Sequence, residues 1–155
     1  MKYAHLVRLT VFSHGYENSN QINEAFLRFF PFNLEENKIN LKKTAATGFN
    51  EKKIEVIEVM LTKNNLINQF LESLSSNLDK EQRNLLLNQM ESRLDSNLDF
   101  FLRFDKDSWI KQEKLLLTDS RKCFHIKISV AAFPKKREIA LSIIRKIFNL
   151  EDKNF

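Results

Sequence analysis

Leu-Asp-Phe-Phe-Leu-Arg-Phe-Asp-Lys (98–106) and Phe-His-Ile-Lys-Ile-Ser-Val-Ala-Ala-Phe (124–133), the latter running into Pro-Lys-Lys-Arg-Glu (134–138), decide the fold. In the first segment Leu98, Phe100, Leu102 and Phe104 share one side. In the second, Phe124, Ile126, Ile128, Val130 and Ala132 turn inward, and His125, Lys127, Ser129 and Ala131 turn outward. Apolar residues at every second position mark strands with one buried and one open face. Clean alternation of this kind favours antiparallel pairing in a sheet covered on one side. Pro134 suits the first position of a helix, where its missing N–H has no partner to lose. Ile139, Ala140, Ile143, Ile144 and Ile147 then follow at helical spacing.

Outward from this stretch, residues 105–112 form a turn with room for one helical turn, and residues 114–118 a short strand. Residues 3–13 alternate, with His5, Val7, Leu9 and Val11 on one side and Leu6, Arg8, Thr10 and Phe12 on the other. A helix runs from the cap candidates Asn18, Ser19 and Asn20 to Phe30, where Pro31 stops it. Residues 39–46 and 53–62 pair as a hairpin around Gly48, the second of them buried on both sides or weakly alternating. Leu66, Ile67, Phe70, Leu71 and Leu74 stripe a helix over 64–78. Asp79 with Gln82 gives a capping-box start to another over 79–94. The order is β-α-β-β-α-α-β-β-β-α. It implies a two-layer α+β domain, a mainly antiparallel sheet with helices on one face. Residues 1–148 make up a single domain and 149–155 a C-terminal tail.

Fourteen Phe among 155 residues predict a core filled with flat rings, and two Gly and two Pro predict long regular elements. Cys123 is the only cysteine, which excludes an internal disulfide and a four-cysteine metal site. Neither a signal-peptide pattern nor an apolar run near the roughly 18 residues of a membrane span occurs. The expectation is a cytoplasmic chain with no membrane association, no cofactor and no metal. His5, His14 and His125 follow no catalytic spacing, and no phosphate-binding loop or HExxH motif is present. A non-enzyme is therefore expected. His14 near Glu17 is a satisfied loop histidine rather than an acid–base pair, and Trp109 a turn anchor.

Charge is unevenly spread. Residues 1–96 hold twelve Lys/Arg and twelve Asp/Glu, whereas residues 97–148 hold twelve and six. The whole excess of +5 thus comes from the last third. A clustered excess is what a polyanion-binding surface needs. Lys135, Lys136 and Arg137 stand at the start of the last helix, against its dipole, where each cation costs from a few tenths to about 1 kcal/mol. A phosphate bound there would reverse that sign. The plainer reading is a solvated charge cluster offset by Glu138.

The open sheet face is the second candidate. Arg8, Arg103, His125 and Lys127 would interleave with Phe12 and Phe101, cations tracking phosphates and rings stacking on bases of single-stranded RNA. Phe101 and His125 are the stacking candidates. Lys106 adds a cation at the strand end, with an Arg103–Asp105 ion pair as the alternative use of that segment. Against RNA binding stands a protein-interaction module, in which Leu6, Phe12 and Phe101 bury themselves in a homodimer or a larger assembly.

Four blocks carry a resemblance across residues 3–148: Val11-Phe12-Ser13-His14-Gly15 with Glu17, Thr44-Ala45-Ala46-Thr47-Gly48, Leu102-Arg103-Phe104-Asp105-Lys106, and Ala132-Phe133-Pro134-Lys135-Lys136-Arg137-Glu138. In this order and spacing the chain resembles the archaeal family described as predicted RNA-binding proteins or predicted exosome subunits. That family's fold is similar to the 5S-RNA-binding ribosomal protein of the large subunit. The resemblance implies an α+β domain, RNA as ligand, no catalysis, and association with exosome or ribosome-linked proteins. The chain departs from the family after Gly48 and after Lys106, where Asp107-Ser108-Trp109 replaces Gln and small residues.

Overall fold

The computed structural model describes residues 1–47 and 53–150. Five strands, β1 (Ala4–His14), β2 (Lys42–Thr47), β3 (Lys53–Leu61), β4 (Asp99–Asp105) and β5 (Cys123–Val130), form one antiparallel sheet in the order β2-β3-β1-β5-β4. Five helices intervene: α1 (Ser19–Arg28), α2 (Asn64–Ser76), α3 (Lys80–Gln89), α4 (Lys106–Gln112) and α5 (Arg137–Phe148). The α+β class agrees with the sequence reading, and so does the order of elements outside residues 105–118. The turn around Gly48 and the first departure from the family pattern lie outside the described residues.

One face of the sheet is dry. Val7, Leu9 and Val11 of β1, Ile57, Val59 and Leu61 of β3, Phe100, Leu102 and Phe104 of β4, and Phe124, Ile126 and Ile128 of β5 are buried with the apolar stripes of α1, α2 and α5. The phenylalanines do fill it with rings: Phe29 meets Trp109 and Phe124 at centroid distances of 4.8 and 5.2 Å, and Phe30 meets Phe70 at 5.4 Å. On the other face, Arg8, Thr10, Phe12, Val56, Met60, Phe101, Arg103, His125 and Lys127 are half-buried or exposed, and no helix among the described residues buries them. The edge strand β2 is exposed along its whole length and is guarded by Lys42 and Lys43, charges that discourage pairing with another edge.

Several local expectations change. The register shifts between Ala4 and Leu6, a bulge that brings Ala4 into the core and turns His5 out to solvent. The segment 114–118 contributes one bridge, Leu117 to Phe104, rather than a full strand. The bridge is closed by the Asp105 N–H to the Leu116 carbonyl at 2.8 Å and the Thr118 N–H to the Arg103 carbonyl at 2.9 Å, while the Leu117 N–H, pointing away from β4, donates to Gln82 Oε1 at 2.8 Å. Gln82 therefore cannot close the capping box, although Asp79 does cap α3 by accepting from the Gln82 N–H at 2.8 Å. The turn at 105–112 is a full helix, α4. Asp105 caps it by accepting from the Ser108 N–H and hydroxyl at 2.9 and 2.6 Å, and the Arg103–Asp105 pair is not made. Trp109 anchors this helix to α1 by donating from Nε1 to the Ala25 carbonyl at 2.8 Å.

The last helix starts at Arg137, three residues later than Pro134 suggested. The Lys136 N–H turns back to the Pro134 carbonyl at 2.8 Å, and Lys136 occupies the cap position in extended conformation. Asn149 ends the helix in the left-handed region and Leu150 packs into the core, so the first two residues of the segment read as a tail belong to the helix closure. The remaining residues, 151–155, lie outside the described residues.

Candidate nucleic-acid interface

Antiparallel pairing turns the alternation of four strands into rows across the open face. Met60, Arg8, Lys127 and Phe101 form one row, read from β3 through β1 and β5 to β4. Glu58, Thr10, His125 and Arg103 form the next. Sequence alternation thus brings together Arg8, Arg103, His125, Lys127 and Phe101 on one surface from three strands.

Their chemistry differs residue by residue. The Phe101 and His125 rings lie 5.6 Å apart and tilted by 35°. Burial, reinforced by the Arg103 and Arg8 charges, holds His125 below its ordinary value, so it is a neutral ring rather than a cation near pH 7. The Arg8 Nε is enclosed and has no hydrogen-bond partner among the described residues, a donor still to be satisfied. Arg103 makes a single long contact, from Nη1 to the Asp119 carbonyl at 3.4 Å, and its side chain is exposed. Lys127 is the most committed, with Asp99 at 3.9 Å.

Lys106 has to be corrected. It is 2% exposed, and its Nζ donates to the Phe12 carbonyl at 2.6 Å and to the Glu17 carboxylate at 3.1 and 3.3 Å. A phosphate could not reach it without breaking a buried ion pair. Lys106 continues the inward parity of Phe100, Leu102 and Phe104; the sequence reading misplaces it by assigning a cation at a strand end to solvent. Glu17 also accepts from the His14 N–H at 3.1 Å, which leaves no acid–base pair for His14 to join.

The three cations before α5 do not act as one cluster. Arg137 donates to the carbonyls of Leu94, at 2.9 Å, and Glu91, tying the helix start to the 3₁₀ turn Glu91–Arg93. Only Arg137 lies in the first turn, beside Glu138, so the dipole conflict is smaller than three cations would give. Lys135 and Lys136 make no side-chain hydrogen bond or ion pair among the described residues, and both are exposed. Beside them Phe133 is 95% exposed, an aromatic that the sequence reading had left unassigned. Arg121 was missed as well. It sits in a segment without periodicity, yet lines the open face with Arg103 and His125.

A family model described as RNA binding matches residues 6–130, more than three quarters of the chain. The chain belongs to this RNA-binding family. RNA-binding protein PAB1135 of Pyrococcus abyssi is 28% identical over 149 residues, 96% of each chain. Among solved structures, AF2318 of Archaeglobus fulgidus matches with a TM-score of 0.80 and 26% identity, covering 93% of this chain and 99% of its own. Mth689, a DUF54 protein of Methanothermobacter thermautotrophicus, matches at 0.76 and 26%, covering 96% and 99%. These two solved structures thus share the fold over nearly the whole chain, and no helix of the described residues is long and apolar enough to cross a membrane.

Proposed function

We propose that this chain is a non-catalytic RNA-binding protein that lays single-stranded RNA across the open face of its sheet. The observation that carries the reading is the pair of cross-strand rows, in which Arg8, Lys127 and Arg103 alternate with the Phe101–His125 ring pair. Cations at that spacing meet phosphates, and rings between them meet bases. The family membership and the name of the Pyrococcus abyssi relative point the same way. Lys135 and Lys136, with the exposed Phe133, extend the path beyond β5, while Arg137 and Lys106 hold the scaffold.

The test is a fluorescence-anisotropy titration of a uridine decamer at several salt concentrations. Affinity falls with a log–log slope of about −0.7 for each phosphate contact. Arg8→Ala with Arg103→Ala lowers affinity and flattens the slope by about 1.4, two contacts' worth. An unchanged slope removes both residues from the interface. The resemblance extends the reading to an exosome or ribosome-linked assembly in the cytoplasm, checked by co-sedimentation with and without ribonuclease.

A second reading has its own observation. Phe12 and Met60 on the open face are each 47% exposed, as they would be on a surface that pairs with a second copy. Light scattering without RNA separates the two readings.

A further inference from the structure

We infer that the open face contains a pocket for one unpaired nucleotide, so that the protein selects RNA with looped, bulged or single-stranded positions over continuous duplex. The inference rests on the RNA-binding reading and gives it a substrate class.

A groove of about 500 Å³ opens where β1, β3 and β2 pass beside the start of β5. Phe12, Ile54 and Val56 floor it, Ala46 closes the β2 side, and Arg103 and Arg121 stand at its rim. That volume lies within the range of small-molecule sites, about 300–1,000 Å³. Its chemistry is mixed in a particular way. The floor is apolar and includes a half-exposed aromatic ring, while the rim holds two guanidinium groups. Among the described residues that line it there is no carboxylate.

An occupant must therefore offer a flat apolar face and a negative charge within one residue's span. An apolar peptide side chain would cover the floor but leave both guanidinium groups without an anion. An acidic side chain would meet the cations but offer no ring. An unpaired nucleotide brings both together, its base on Phe12 and its phosphate at Arg103 and Arg121. A base inside a duplex is stacked on both sides and cannot reach the floor, so selection against duplex follows from geometry.

The pocket is also held in shape before any ligand arrives. The Lys106 ammonium fixes the Phe12 carbonyl, and Glu17, bonded to that ammonium, fixes the His14 N–H. Both of these residues line the groove. His14 in turn stacks on Tyr16, at 5.3 Å and 13° between planes, and Tyr16 is 77% exposed. This places a further ring next to the groove for a neighbouring base. Preorganisation of this kind lowers the ordering cost of binding.

The test measures binding of the full chain to three probes by fluorescence anisotropy: a uridine decamer, a blunt RNA duplex, and the same duplex with one bulged uridine. The decamer and the bulged duplex are expected to bind roughly ten-fold or more tightly than the blunt duplex. Phe12→Ala should lose most of that preference and leave blunt-duplex affinity unchanged. Because Phe12 is half exposed, the melting temperature should hold. If it does not, Ala46→Phe, which fills the groove from an exposed edge position and removes nothing, should weaken the same two probes. Three results overturn the pocket. Unchanged affinity of both variants, while Arg8→Ala with Arg103→Ala still weakens the decamer, removes the pocket and leaves the RNA-binding reading standing. Absence of binding to every probe by the unmodified chain removes both. A dimer in light scattering that Phe12→Ala dissociates makes the groove a self-association surface instead.

Discussion

His125 stands where the charges and the rings of the open face meet. Burial first, and then the Arg103 and Arg8 guanidinium groups, keep it neutral below its ordinary value of 6.5. Phosphates brought close would favour its protonated form, so RNA binding is linked to proton uptake at this ring. RNA affinity of the unmodified chain should thus rise as the pH falls. His125→Phe should keep affinity at pH 7.5 within about two-fold, since the ring remains, and should lack the acid rise. Affinity that does not rise as the pH falls, or a rise that His125→Phe retains, would contradict this role for His125. The free protein has the opposite dependence. Its stability falls as pH drops below 6.5, because the unfolded chain takes up the proton that the folded chain resists. At this scale the site was readable wherever strand parity held. Arg8, Arg103, Lys127, Phe101 and His125 could be assigned to a face because side chains alternate with a period of two. His5, beside a bulge, could not, and Lys106, which continues the inward parity of β4, is misread when its charge is held to require solvent.

At the scale of elements, the Lys106–Glu17 pair joins the loop after β1 to the first residue of α4. It explains why the His14-Gly15 block and the Phe104-Asp105-Lys106 block occur together in one chain: each supplies half of a buried contact. Removing one partner leaves a buried charge unpaired, so Lys106→Met should cost about 3 kcal/mol of stability in denaturant unfolding. Lys106→Met with Glu17→Gln should cost less than the two single changes added together. Strictly additive losses would mean that the two groups do not interact. The start of α5 teaches a related lesson. Proline preference alone put the helix at Pro134, whereas the turn closed by the Lys136 N–H and the Pro134 carbonyl delays it to Arg137. Arg137 is then used to satisfy carbonyls at the end of a distant 3₁₀ turn, a tertiary contact that no local pattern encodes.

For the whole molecule, hydrophobic periodicity was enough to give the class, the antiparallel sheet and the layer of helices, because one-sided burial leaves few other arrangements. It could not give the functional surface as directly. The basic excess sits in the last third of the sequence, yet the open face draws Arg8 from the net-neutral residues 1–96, through pairing of β1 with β5. Segment-by-segment charge therefore understates a surface assembled from strands far apart in the chain. The most direct test of that surface is an NMR titration of the isotopically labelled chain with a uridine decamer, following backbone amides. Amides of Arg8, Thr10 and Phe12 on β1, Phe101 and Arg103 on β4, and His125 and Lys127 on β5 should shift together and saturate at one ratio. Shifts confined to the helical layer, around Arg83, Arg145 and Lys146, or no shifts at all, would contradict RNA binding on the open sheet.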